Sequence, residues 1–234
     1  MLARTKPSKK TACDSAEQHS SDRGWFARPA PAFLLVALLA GVACPFAMPY
    51  DRSSSTFVRQ IDLPGDLQKA ISLSEAFAHG LGVGLILLSV FVVAVNRRRA
   101  VSIAILITAL SGITANVLKA TVVRVRPHAD GLQVIGHNES SNNAAEAVDR
   151  SFWDARQRSF PSGHAATAWG LAIGLSFVFL RGWWIFGMLA VLACVQRIES
   201  GAHYPSDVLA GMSIAFIIAA CALSSPRIRK HLVE

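Results

Sequence analysis

Charge is scarce in this chain. Only 16% of its 234 residues are Asp, Glu, Lys or Arg, against roughly a quarter in a typical soluble domain. Cysteine is sparse too. Four cysteines are too few for a disulfide scaffold, and none are paired at metal-ligand spacing. Cys44, Cys194 and Cys221 lie in apolar stretches, where Cys acts as a small hydrophobe. No internal repeat is visible. What the chain has instead is apolar: 52% of residues are hydrophobic and the mean hydropathy is +0.40, which excludes a disordered chain. The few charges are unbalanced, with a net +8 and a pI of about 9.9. That excess alone fits nucleic acid, anionic lipid or an anionic substrate, so its placement has to decide.

The apolar residues fall in six runs, at 32–48, 76–95, 100–118, 165–180, 182–195 and 208–223. A helix crossing the hydrocarbon core needs about 20 residues. The first three runs meet that length; the last three need their polar flanks to span. None carries an amphipathic stripe of charge, so the pattern predicts an all-α, six-helix transmembrane bundle. The expected organisation is a basic cytoplasmic tail over 1–31, a membrane domain over 32–223, and a second basic tail over 224–234. The first run reads as a signal anchor.

Loop charges supply an orientation. Alternate segments (1–31, 96–99, Arg181 and 224–234) carry 13 Lys or Arg and 4 acids, a net +9. The opposite segments carry 10 and 11, a net −1. Short basic loops stay inside, and Arg97-Arg98-Arg99 is the strongest such signal. Both termini are therefore expected in the cytoplasm, with three connections outside. Membrane lipid becomes the expected surrounding, and no nucleic-acid partner is expected.

Polar residues then gather on the outer face. Lys119 to Pro127 follows the third run, Phe160 to His164 precedes the fourth, and Gln196 to Asp207 joins the fifth to the sixth. Lys119, Arg126 and Arg197 suit a dianionic phosphate, Arg with a planar fork of donors and Lys as a point charge. Ser162 and Gly163 fall at a helix start, where free N–H groups and the dipole favour an anion. His203 and Asp207 are four apart, so the carboxylate can accept from one imidazole nitrogen and leave the other as nucleophile. His164 can supply a proton. The set is complete without a metal or other cofactor.

Lys119-x6-Arg126-Pro127, Pro161-Ser162-Gly163-His164 and Arg197-x5-His203-x3-Asp207 together resemble the three-part signature of the type 2 phosphatidic acid phosphatase family. That family is related to the vanadium haloperoxidases and bacterial acid phosphatases. The likeness spans about residues 119–211, and the six-run order resembles the membrane branch. The chain departs at Gln196, where the family commonly has Ser. The resemblance implies that His203 attacks phosphorus, Asp207 orients it, and His164 protonates the leaving oxygen and then activates water. It also implies that Lys119, Arg126, Ser162, Gly163 and Arg197 hold the phosphate oxygens. The implied substrates are lipid phosphates: phosphatidic acid, phosphatidylglycerophosphate, undecaprenyl diphosphate or lipid A phosphates. The implied place is a bacterial inner membrane with the site facing the periplasm.

Plainer readings accompany each residue. Taken singly, Lys119 would snorkel, Arg126-Pro127 would stop a helix, and Pro161-Ser162-Gly163 would be a turn with an N-cap. Arg124 reads as solvent-facing or as a headgroup contact, and Glu199 as a partner for a nearby Arg. Asn116, three before Lys119, either lines the site or bonds a neighbouring helix. His79, a polar group within or near an apolar run, is a functional candidate on that ground. Gly80, Gly82 and Gly84 suggest close helix packing. The connection 128–158 holds His128, His137 and an Asn138-Glu139-Ser140 sequon; its Phe152 and Trp153 read as part of an aromatic belt or as acyl-chain contacts. Two other functions fit the same residues: a transporter or binding protein that holds a phospholipid without turnover, and a lipid phosphotransferase. The spans are nearly free of charge, which weighs against a transport path.

Overall fold

A computed structural model describes residues 29–127 and 158–233, and among these residues it is helical with no strand. Helix α1 (Pro29–Ala47) runs through a 3-10 turn at Met48–Tyr50 into α2 (Asp51–Gln60). Helix α3 (Gly65–Leu73) follows, then a 3-10 turn (Ser74–Phe77), α4 (Gly80–Val93) and α5 (Arg98–Lys119). After the long connection come α6 (Gly163–Val178), α7 (Trp183–Glu199), α8 (Pro205–Ser224) and a short terminal α9 (Pro226–Val233).

Four stretches are long and apolar enough to cross a membrane: Ala30–Gln60, Val95–Lys119, Leu180–Glu199 and Pro205–Ser224. A fifth arises if Gly65–Phe77 and Gly80–Val93, bent by 73°, count together. The second run is thus not the straight span expected over 76–95. A break in the helix at Ala78–His79 redirects it, and α4 starts only at Gly80. Of the three glycines there, Gly82 is the one the bend requires: a Cβ would meet the Ala76 carbonyl oxygen at 2.2 Å, whereas nothing lies within 4 Å of one at Gly80 or Gly84.

The fourth run forms α6, only 16 residues long, about 24 Å at 1.5 Å per residue. That falls short of a hydrocarbon core of ~30 Å. Helix α6 is instead the centre of the bundle, packed against α5, α7 and α8, with thirteen of its residues buried. Protein rather than lipid surrounds it, so it need not match the bilayer thickness. Buried hydroxyls in this core are satisfied within their own helices: Thr108 donates to the Ala104 carbonyl, Ser111 to Ile107 and Ser176 to Ala172, as an apolar surround demands.

The bundle's outside is a belt of exposed apolar side chains. Leu34, Leu38 and Phe46 on α1, Leu85 and Val92 on α4, Ile113 and Val117 on α5, and Trp183 and Met188 on α7 all face outward. At one end Arg97 donates to the Val178 carbonyl (2.7 Å), adding a positive charge to the C-terminus of α6 where the dipole favours it. Residues 224–234, expected as a tail, include helix α9, whose Leu232 and Ile228 dock on the core. The segment 49–75, expected outside, contains α2, which is largely polar, and α3, in which polar and apolar residues mix, and the apolar pattern marked neither.

Candidate active site

The signature residues converge at one end of the bundle, because most stand at helix termini that point there and the others in the segments that adjoin them. Lys119 closes α5. Arg126 follows after a short extended stretch. Gly163 and His164 open α6, Arg197 lies in the last turn of α7, and Asp207 in the first turn of α8. His203 sits in the turn between α7 and α8, whose backbone is tied by Ala202 and His203 N–H groups donating to the Arg197 carbonyl, 3.1 Å each.

His203 and Asp207 are buried, at 1% and 0% exposure. His203 Nδ1 faces Asp207 Oδ2 at 3.6 Å, just beyond hydrogen-bond contact. The spacing between the two residues survives the α8 start because Pro205 is its first residue and Tyr204 its cap. The Tyr204 N–H donates to Asp207 Oδ2 at 2.8 Å, a reciprocal cap. The Ser159 hydroxyl donates to the same oxygen. Burial pushes the His203 imidazole below its ordinary value of 6.5, Asp207 opposes that, and Lys119 and Arg126 add to the lowering. That environment favours the neutral ring.

The His164 ring centroid is 6.3 Å from that of His203, and His79 is 6.4 Å from His164. His79, a functional candidate from its place near an apolar run, stands at the N-cap of α4 beside the site. His164 also lies within electrostatic range of Arg197 and Lys119, and Lys119 within range of Arg126 and Asp207. Ser162 caps α6, its Oγ accepting from the Ala165 N–H at 3.2 Å; its hydroxyl hydrogen can still be given to an oxygen anion. Asn116 abuts Gly163, its Oδ1 2.8 Å from where a Cβ would be, so it borders the start of α6.

Helices α6 and α8 meet at very close range here. The Ser162 N–H donates to the Asp207 carbonyl at 3.0 Å, and a Cβ on Gly211 would lie 2.4 Å from the Ser162 carbonyl oxygen. Only glycine admits that approach, which joins the His164 segment to the Asp207 segment.

Arg197 is buried and held in place by two neighbours. Its Nε donates to Gln196 Oε1, and its Nη2 pairs with Glu75 Oε1 at 2.7 Å. Among the described residues these use two of its five guanidinium donors. Its acidic neighbour is Glu75, from the turn before α4, rather than the expected Glu199. Gln196 also reaches Glu75 Oε2 at 3.4 Å, so the departure from the family's Ser supplies a bond of its own.

Arg124 is not solvent-facing. It pairs with Asp207 Oδ1 at 2.5 Å and with Asp51 Oδ2, donates to Ser206 Oγ at 2.7 Å, and stacks 4.6 Å from the Tyr204 ring centroid. Burial works against its charge, but Asp207 and Asp51 outweigh it and raise its pKa. Asp51, Glu75 and Ser159 are the residues the sequence did not mark. Among the described residues no group of three or more His, Cys, Asp or Glu is placed to hold a metal ion. His128, His137, Asn138, Phe152 and Trp153 lie outside the described residues.

The sequence pattern of the PAP2 superfamily matches residues 100–230. Two curated relatives are similar over part of their length. A lipid A 1-phosphatase of Rhizobium etli is 34% identical over 104 residues, 44% of this chain and 40% of the relative. A lipid A 1-phosphatase of Rhizobium johnstonii is 31% identical over 122 residues, 48% and 46% of the two chains. The chain thus spans less than half the length of the curated relatives it matches. Among solved structures, Aquifex aeolicus LpxE superposes with a TM-score of 0.54 at 22% identity, over 74% of this chain and 94% of that one. A PAP2-type phosphatidylglycerolphosphate phosphatase from Bacillus subtilis gives a TM-score of 0.57 at 20% identity, over 81% and 91%. At these identities the likeness speaks to the fold, which is the helical membrane fold read above.

Proposed function

This chain belongs to the PAP2 superfamily, and from that premise we propose that it is an integral-membrane lipid phosphatase acting through a phospho-histidine. The observation that carries the reading is the buried His203–Asp207 pair, set among Lys119, Arg126 and Arg197 at one end of an apolar bundle. A phosphate on a lipid sits at headgroup level, where such a site can meet it. The substrates are lipid mono- or diphosphates, with a lipid A type phosphate first, since both Rhizobium relatives are named for it. The membrane is the bacterial inner one, spanned six times, with both termini cytoplasmic and the site toward the periplasm.

In this mechanism His203 Nε2 attacks phosphorus while the bond to the lipid oxygen breaks. Asp207, on the Nδ1 side, stabilises the imidazolium that forms. His164 gives the leaving oxygen a proton. It then takes one from the water that attacks phosphorus as the phosphorus–nitrogen bond breaks, which frees phosphate and restores His203. Lys119, Arg126, Arg197, Ser162 and the Gly163 N–H hold the equatorial oxygens as charge develops. The scheme uses no metal.

The test is phosphate release by the purified full chain from a panel of lipid A, phosphatidylglycerophosphate, phosphatidic acid and undecaprenyl diphosphate. The parent should turn over at least one of them, His203→Ala should be slower by about a thousandfold or more, and a chelator should change nothing. Parental rates in His203→Ala would overturn the nucleophile, and loss on chelation the metal-free scheme. Binding without release by the parent would favour a carrier.

A further inference from the structure

The strongest arrangement the reaction scheme leaves unused is the buried contact between Asp51 and Arg124. Asp51 lies at the junction of α1 and α2, outside the stretch that matches the superfamily, yet it is only 2% exposed. Each of its oxygens has a partner from the α8 start or beside it. Oδ1 accepts the Ser206 N–H at 3.0 Å. Oδ2 accepts the Ser206 hydroxyl at 2.5 Å and Arg124 Nη2. The other arm of the same guanidinium, Nη1, holds Asp207 Oδ1. Asp207 Oδ2 is the oxygen that faces His203.

A guanidinium shared between two carboxylates neutralises each only in part. If Asp51 were uncharged, the whole charge of Arg124 would fall on Asp207, and less negative potential would reach His203. Asp51 also fixes the direction of approach. It holds one edge of the planar fork, so the other edge meets Oδ1 and leaves Oδ2 turned to the imidazole. Tyr204 and Phe160 cover the guanidinium, with ring centroids 4.6 and 5.9 Å from its carbon, and limit its freedom to swing.

We propose that Asp51 is a positioning residue for the reaction: through Arg124 it sets the orientation and effective charge of Asp207, and so of His203. The first membrane helix thereby becomes part of the catalytic apparatus without touching substrate. This inference rests on the reading of His203 and Asp207 as the reacting pair.

The experiment compares the full chain with Asp51→Asn, Arg124→Gln and the double variant, in two assays. One is steady-state release of phosphate from whichever lipid phosphate the parent turns over. The other is binding of orthovanadate, a phosphate mimic that needs a correctly aimed His203 but no turnover. Asp51→Asn should lower kcat by about tenfold or more with KM within about twofold, the pattern of an interaction made in the transition state. It should weaken vanadate by a similar factor. The acid limb of its kcat profile should move to lower pH, because an imidazolium less supported by Asp207 loses its proton more readily. If Asp51 acts through Arg124, the double variant should be no slower than the slower single variant. Multiplying losses, an unmoved acid limb, or a raised KM with unchanged kcat would overturn the proposal. If Asp51→Asn does not fold, Asp51→Glu, which keeps the charge but shifts the guanidinium, tests the orientation alone: kcat and vanadate binding should fall with the acid limb in place, and parental values for both would overturn the positioning role. A parent that binds vanadate but hydrolyses no lipid phosphate overturns the phosphatase reading and leaves Asp51 to be judged by vanadate alone. A parent that does neither overturns both.

Discussion

At the scale of single residues, the titration of His203 gives the site a pH signature. The attack proposed for it needs a neutral imidazole, and burial first, then Lys119 and Arg126, hold its pKa below 6.5 against the pull of Asp207. The neutral form therefore persists as pH falls through 6.5 and is lost only below that. The expected profile of kcat/KM on the acid side is a plateau through pH 6.5 with a decline beneath it; a decline centred above 6.5 would contradict the assigned environment. Stability should move the same way. An unfolded chain takes up a proton on this residue near pH 6.5 before the folded one does, so the fold loses stability as pH drops below that value. His203, Asp207, His164 and the three cations could be read from the sequence because fixed spacings within short segments carry them. Asp51 and Glu75 could not. Each is an acid in a polar segment with no spacing relation to the motifs, and its role exists only once α1 and the turn before α4 are folded against α7 and α8. Arg124 was misjudged for the same reason: its two carboxylate partners are 73 and 83 residues away.

At the scale of helices, the site depends on how closely α6 and α8 approach. Gly211 faces the Ser162 carbonyl, and a methyl there would sit 2.4 Å from that oxygen and 3.1 Å from the Ala166 nitrogen. Backbone atoms cannot yield as a flexible side-chain end can, so Gly211→Ala must push the helices apart. The expected cost is about 1–3 kcal/mol, with a larger loss of activity because the His164 and Asp207 segments separate. Gly84→Ala is the control. Nothing lies within 4 Å of its Cβ, and the change should be neutral or gain up to ~1 kcal/mol of helix propensity. Thermal unfolding in detergent with activity on the same samples decides between them; equal behaviour of the two variants would mean that the close approach is not needed. Run lengths alone marked where helices begin and end to within a few residues, but not which helix is central. Helix α6 looked like one more span. Its small residues, Gly170 and Gly174 among them, are what let it sit inside the others.

For the molecule as a whole, charge and apolar surface make separate statements that agree. The exposed apolar belt runs around the sides of the bundle, while the signature residues gather at one end and Arg97, Arg98, Arg99 and Arg181 stand at helix boundaries of the other. The net +8 is thus two populations. One is a basic end away from the signature residues, and the other is Lys119, Arg126 and Arg197 in an end whose charges nearly balance, with Arg197 paired to Glu75. In a bacterial membrane the basic end should stay in the cytoplasm, since Lys and Arg in short loops resist translocation. Fusions test this directly. A fluorescent protein at either terminus should be bright, as it matures in the cytoplasm. An alkaline phosphatase joined within 128–157 should be active, as it needs the periplasm, and one joined at Arg99 should be inactive. The reverse pattern would place the His203 site on the cytoplasmic face and remove the periplasmic assignment. A bright amino terminus with a dark carboxyl terminus would mean an odd number of crossings. The helix to re-examine would then be the bent pair α3–α4, because its 73° turn allows α4 to enter and leave the membrane on one side.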